Sequence, residues 1–299
     1  IDRLSTLTSL KYLDLSNNRI RIIERLYPTI PLEVLNLSEN KIDSISKLHQ
    51  LQLKILDLSN NSVNKIKNLE ALKRLELLNL QGNEIKLIEN LDTFKRLRTL
   101  NLSNNEIQKI QNLDKLVLLE TLDISRNRIN KIENLENLNK LTSLNLSNNR
   151  FISNIENIEN LIYLNDLNLS NNKIVKIENL NHLLRLNDLD LSKNKISIIE
   201  GLENITSLKT LNLTNNHIKV IENISNKDSL LSLNLSSNGI TKFENLIKLP
   251  SLTSLNISRN DIVIIENLEN LTSLETLDLS YNELNKIENL EKLPNLKSL

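Results

Sequence analysis

Two hydrophobic patterns alternate along the chain, and each points to a different local structure. In Thr99-Leu100-Asn101-Leu102-Ser103 polar and apolar residues alternate, the period of a strand, with Leu100 and Leu102 facing inward and Thr99, Asn101 and Ser103 outward. In Lys131–Leu138 the apolar residues Ile132, Leu135 and Leu138 recur every third position, which predicts 3-10 or short helical turns. The two patterns are joined in one phrase, L-x-x-L-x-L-x-x-N-x-I. Its Asn falls at Asn18, Asn40, Asn61, Asn83, Asn105, Asn127, Asn149, Asn172, Asn194, Asn216, Asn238, Asn260 and Asn282. That makes thirteen copies, with a step of 22 residues except for 21 before Asn61 and 23 before Asn172.

A strand this short is not stable alone, so the copies must stack side by side into a parallel sheet. The half with three-residue spacing then forms the opposite wall. It is wider than a strand is thick, so the stack is expected to curve with the sheet on its concave side. The expected fold is a single α/β solenoid over residues 1–299, a curved horseshoe with short 3-10 or helical segments on the convex face. The amide of each repeated Asn both donates and accepts, so these residues are expected to satisfy buried turn groups as an internal ladder. Pro28 and Pro31 bracket an altered convex segment. Leu4, Leu7 and Leu10 look like half of an ordinary copy and Leu299 falls within a strand pattern. Both terminal caps are therefore expected to be missing, and end-to-end self-association is expected if the ends stay uncapped.

Composition removes several functions. The chain of 299 residues has 37 Lys+Arg against 37 Asp+Glu, which argues against a nucleic-acid or anionic-membrane binder. With no Cys there is no disulfide, thiolate metal site or cysteine nucleophile. No apolar run approaches the roughly 18 residues of a membrane span. His49, His182 and His217 are scattered over different copies, and the three glycines form no phosphate-cradling loop. The expectation is a protein with no catalytic residues, metal or cofactor. Glu24, Glu89, Glu133, Glu156, Glu178, Glu200, Glu222, Glu244, Glu266 and Glu288 share one convex position, with lysines two residues earlier in several copies, which reads as a solvated face.

Partner contact is expected on the sheet, where side chains escape the repeat constraint. The middle outward position is always Asn or Asp, and the last is Ser in eleven copies. The first varies: Tyr12, Val34, Ile55 and Leu77 form an apolar run in four successive copies, a contact signal. Asp166, Asp188 and Asp190 cluster in two adjacent copies and could receive a basic partner. Arg259, Asp261, Tyr281 and Glu283 form a mixed charged and aromatic group. Asn36, Asn101, Asn145, Asn168, Asn212, Asn234 and Asn256 each open a glycosylation acceptor on this face, which favours a cytoplasmic or nuclear protein, or a bacterial one.

The repeated phrase resembles the leucine-rich repeat family over essentially the full length. Within its 22-residue class, Ile-Glu-Asn-Leu-Glu-Asn-Leu at Ile132–Leu138 and Ile265–Leu271 resembles the regulatory subunit of type-one protein phosphatase. That resemblance implies an intracellular scaffold that holds a type-one phosphatase catalytic subunit in its concavity and does no chemistry, with Asp166, Asp188 and Asp190 as its acidic contacts. Related wording in axonemal repeat proteins implies a cytoskeletal adaptor instead. A cell-surface adhesin or recognition ectodomain is the third reading.

Overall fold

The computed structural model describes residues 7–23, 26, 30–48 and 50–299; Leu4, Glu24, Pro28 and His49 fall outside them. The chain divides into two compact units, Ile1–Asn149 and Arg150–Leu299.

The first unit carries the strands β1 (Tyr12–Asp14), β2 (Val34–Asn36), β3 (Ile55–Asp57), β4 (Leu77–Asn79), β5 (Thr99–Asn101), β6 (Thr121–Asp123) and β7 (Ser143–Asn145). They pair in parallel, in chain order and without slippage, so that Tyr12, Val34, Ile55 and Leu77 stand opposite one another. The second unit repeats this arrangement with β8 (Asp166–Asn168), β9 (Asp188–Asp190), β10 (Thr210–Asn212), β11 (Ser232–Asn234), β12 (Ser254–Asn256) and β13 (Thr276–Asp278). Each unit is a parallel-sheet solenoid, as the repeat predicts.

Register is set by burial. In the copy around β5, Leu97, Leu100, Leu102, Ile107, Ile110, Leu113 and Leu116 are all buried, so a one-residue slip would expose the strand leucines. The three-residue spacing is realised as consecutive single turns. Leu138 N–H donates to Leu135 O at 3.0 Å, and Leu141 N–H to Leu138 O at 2.9 Å. Among the described residues a continuous 3-10 helix runs over Leu290–Lys292.

The repeated Asn is a ladder. Asn105 donates from Nδ2 to the carbonyls of Leu80, Leu102 and Ser103 at 2.9, 3.0 and 3.1 Å, and its Oδ1 accepts from Ile85 N–H at 3.0 Å. A second ladder was not foreseen. The Asn that ends Ile-Glu-Asn, or Ile-Gln-Asn at Ile110–Asn112, sits in the left-handed region, φ 57° at Asn112 and 58° at Asn134, where Asn is tolerated better than most residues. Its amide reaches back to the preceding copy, with Asn112 to Ile88 O and Asn134 to Ile110 O both at 2.7 Å. The same bond recurs at Asn179, Asn223, Asn245, Asn267 and Asn289. The Ile-Glu-Asn wording therefore carries a structural load of its own.

The two irregular steps have local causes. The short step before Asn61 brings Leu51 and Leu53 two residues apart in place of three, and both stay buried. The long step before Asn172 inserts a residue between Asn149 and Ile152. It is taken up by Arg150 at φ 66° and by Phe151, exposed with the Lys173 amino group 5.2 Å from its ring.

Candidate protein-docking face

The strand face is a set of rows, each formed by one repeat position, and most of the rows are already engaged. At strand entry in the first unit Lys11, Glu33, Lys54, Glu76, Arg98 and Glu120 alternate in sign. Lys54 Nζ lies 2.6 Å from Glu33, Lys11 lies 3.7 Å from it, and Arg98 pairs with Glu120. The hydrogen bond and charge of Lys54 hold the Glu33 carboxyl below its ordinary range. Such exposed pairs add little stability, but they satisfy one another and leave no net field. Sign alternation at the repeat spacing was the signal for this row.

The next row is the apolar run. Tyr12 is 58 % exposed and donates from its hydroxyl to Asp14 Oδ2 at 3.3 Å; the Asp14 charge raises the phenol above its usual range. Val34, Ile55 and Leu77 are half-buried, each flanked by its neighbour across the sheet. They form one contiguous strip, shallower than four fully exposed side chains. In the second unit this row opens with Asp166 opposite Asp188. Burial, then the hydrogen bond and charge of Asp188, push the Asp166 carboxyl up. Thr210 donates to Asp188. Asp190 belongs to the following row, so the structure pairs two of the three aspartates and sets the third apart.

That following row explains why the middle position is only Asn or Asp. In all thirteen copies its Oδ1 accepts the backbone N–H two residues on, at 2.8–3.1 Å. Asp190 serves Ser192 in this way at 2.8 Å. Only a short side chain with an acceptor oxygen at this reach closes such a turn. The Ser that ends the motif corrects an expectation: Ser103 and its counterparts Ser59, Ser125, Ser147, Ser192, Ser236 and Ser258 are buried, not outward-facing. The chain turns there, and the Ser folds under its own turn.

The last row lies at strand exit, and its residues take the left-handed conformation in every copy, most often as Asn. Six copies place an ordinary residue there: Glu39, Arg126, Lys193, Ser237, Arg259 and Tyr281, at φ 53–56°. Each costs about 1–2 kcal/mol relative to a relaxed backbone. Arg259 stacks on Tyr281 at 4.2 Å, and Tyr281 is 72 % exposed. The two side chains that the sequence grouped therefore do meet. Arg126 borders a shallow polar depression in the first unit, with Gln81, Ser103, Asn104, Asp123 and Asn145.

Sequence reasoning also missed Lys227. It occupies a position filled by Leu in most copies, is 1 % exposed, and donates from Nζ to Leu202 O at 2.7 Å and Glu203 O at 3.2 Å. Burial lowers its pKa. Its signal was a lysine breaking an aliphatic column. Net neutrality also conceals an asymmetry. Residues 1–149 hold 22 Lys+Arg against 18 Asp+Glu, and residues 150–299 hold 15 against 19. Among the described residues no group of three or more His, Asp or Glu is placed to hold a metal ion, and no helix is long and apolar enough to cross a membrane.

Comparison with known proteins agrees with the geometry. Leucine-rich repeat family models match residues 9–28, 95–140, 117–160, 206–262 and 270–286. The chain is a leucine-rich repeat protein. Among curated proteins none matches it. Among solved structures it is similar to an internalin, inlF, from Listeria monocytogenes, with 26 % identity and a TM-score of 0.71, covering 97 % of this chain and 86 % of that one. A leucine-rich repeat protein of Leptospira interrogans shares the fold at 24 % identity and TM-score 0.68, over 100 % of this chain and 92 % of that one. The LRIM1/APL1C complex shares it at 22 % and 0.78, over 95 % of this chain and 57 % of that one. Fold and neighbours support a protein–protein interaction scaffold.

Proposed function

We propose that the first unit docks a folded protein partner on its strand face, through the strip Tyr12, Val34, Ile55 and Leu77. One observation carries this reading. The strip is contiguous and in register between a strand-entry row that forms ion pairs and a following row that closes turns, and the remaining copies of its own row carry Thr, Ser or Asp. Buried apolar anchors, not rim charges, dominate interface affinity.

The specific partner we propose is a type-one protein phosphatase catalytic subunit, which this chain would bind in the cytoplasm or nucleus as a regulatory scaffold. The support is the Ile-Glu-Asn-Leu wording of the outer wall, whose Asn also forms the inter-copy ladder described above. A second reading, a cell-surface recognition domain, is favoured by the similarity to a Listeria internalin along 97 % of the chain. Calorimetric titration of the chain with the purified catalytic subunit separates them. Submicromolar binding that is lost when Tyr12, Val34, Ile55 and Leu77 are changed to Ser supports the phosphatase scaffold. No heat at tens of micromolar overturns that partner and leaves the surface reading.

A further inference from the structure

The outer wall of the second unit holds a feature that the strand-face reading does not use. Each copy ends its outer segment in a tight turn whose two tip residues point away from the core. In four copies the tips are small or polar: Thr206-Ser207, Asp228-Ser229, Pro250-Ser251 and Thr272-Ser273. Here the hydroxyl can serve the fold, as Ser207 does by donating to Leu186 O at 2.8 Å.

Two adjacent copies break this default. Their tips are Ile162-Tyr163 and Leu184-Arg185. Ile162 and Leu184 are 50 and 60 % exposed although they stand in neighbouring copies at the same repeat position. The Arg185 guanidinium lies 4.6 Å from the centre of the Tyr163 ring. The turns are held rigidly: Leu164 N–H bonds Leu161 O at 2.8 Å and Leu186 N–H bonds Leu183 O at 3.0 Å, and all four leucines are buried. The tile is thus preorganised and combines two aliphatic side chains with a Tyr and an Arg, the residue types that concentrate binding energy.

Charge identifies what would sit there. This unit holds 19 Asp and Glu carboxylates, yet among the described residues Arg185 forms no ion pair, its contact being the Tyr163 ring. Stacking leaves the edge of its planar fork free to take a carboxylate in bidentate fashion. We propose that the tile Ile162, Tyr163, Leu184 and Arg185 is a second docking surface, for a protein segment that presents an aliphatic side chain beside an Asp or Glu. This proposal is independent of the strand-face reading and of the partner assigned there.

The test selects a phage-displayed library of random dodecapeptides on the full chain, and measures a synthetic copy of the enriched peptide by fluorescence anisotropy. The expected peptides carry Leu, Ile or Val close to Asp or Glu. Their affinity should fall about tenfold or more with Leu184→Ser, and similarly with Arg185→Ala. Changing the peptide carboxylate to its amide should remove the effect of Arg185→Ala, while Ile198→Ser and Val220→Ser, on another exposed row, should change nothing. All these positions are exposed, and circular dichroism checks that each variant is folded. An empty selection overturns the proposal. So do peptides without a carboxylate, peptides indifferent to Leu184→Ser, and a concentration-dependent dimer of the chain that Leu184→Ser abolishes, which would make the occupant a second copy.

Discussion

Replacing Asn105 by Ala tests the internal ladder at a buried rung. Asn105 is buried and makes four hydrogen bonds. The losses are unequal. The carbonyls of Leu80, Leu102 and Ser103 each keep another donor, from Asn83, Asn127 and the Gly82 N–H. Ile85 N–H keeps nothing, and the Asn105 side chain that served it is itself buried, so no water stands by to replace it. Three bonds at roughly 0.5–1 kcal/mol each and one orphaned buried donor at about 1–3 kcal/mol predict a loss of about 2.5–6 kcal/mol. Asn282 makes the same set, to Ile257 O, Leu279 O and Ser280 O with Ile262 N–H as its donor, but it is half-exposed and water can replace it. Asn282→Ala should therefore cost about 1 kcal/mol or less. Urea denaturation followed by hydrogen exchange at Ile85 and Ile262 measures both. Equal losses at the two positions, or a loss near zero at Asn105, would refute the claim that desolvated turn groups make the ladder obligatory.

Three other outcomes follow from side chains already described. Lys227→Leu should stabilise the second unit by about 1–3 kcal/mol, because a packed aliphatic replaces a buried charge. The folded pKa of Lys227 is lowered, so the wild type should recover stability relative to Lys227→Leu as pH rises from that value toward the ordinary 10.5, as read by urea midpoints across that range. Asp166 has the opposite sign of linkage: its folded pKa is raised above 3.8, so its penalty is absent at lower pH and grows as pH rises through the folded value. Asp166→Asn should shift the thermal midpoint upward near neutral pH and leave it unmoved at acid pH. Lys193→Asn should raise stability by about 1 kcal/mol by relieving the left-handed penalty at φ 55°, detectable as a urea midpoint shift without change in slope.

The architecture was legible because its cause is periodic. Thirteen copies of one apolar pattern leave few ways to bury Leu100 and Leu102 other than against their counterparts, and the Asn105 position could be read as structural from its chemistry alone. What stayed hidden was the division of labour within the polar positions. Asn101 and Asn112 look alike in sequence, yet one closes a turn beside the strand and the other bonds the preceding copy. Ser103 fits an alternating strand pattern, but the strand ends at Asn101 and the turn buries it. At the candidate site, the row of Tyr12, Val34, Ile55 and Leu77 was readable as a column, whereas its depth depends on neighbours across the sheet. The separation of Asp190 from Asp166 and Asp188 follows from strand parity, which places Asp190 two residues on from Asp188 and in the turn-closing row. Lys227 and the tile at Ile162 and Leu184 are exceptions to columns, visible once the columns themselves have been fixed in space.

The central claim is that the first-unit strip is the docking face. Photo-crosslinking tests it most directly, with benzoylphenylalanine placed singly at Ile55 in the strip, at Ser232 in the same row of the second unit, and at Leu87 on the outer wall. Irradiation with the phosphatase catalytic subunit should yield a covalent adduct from Ile55 and none from Ser232 or Leu87. Adducts from Leu87 or Ser232 with none from Ile55 would contradict the account.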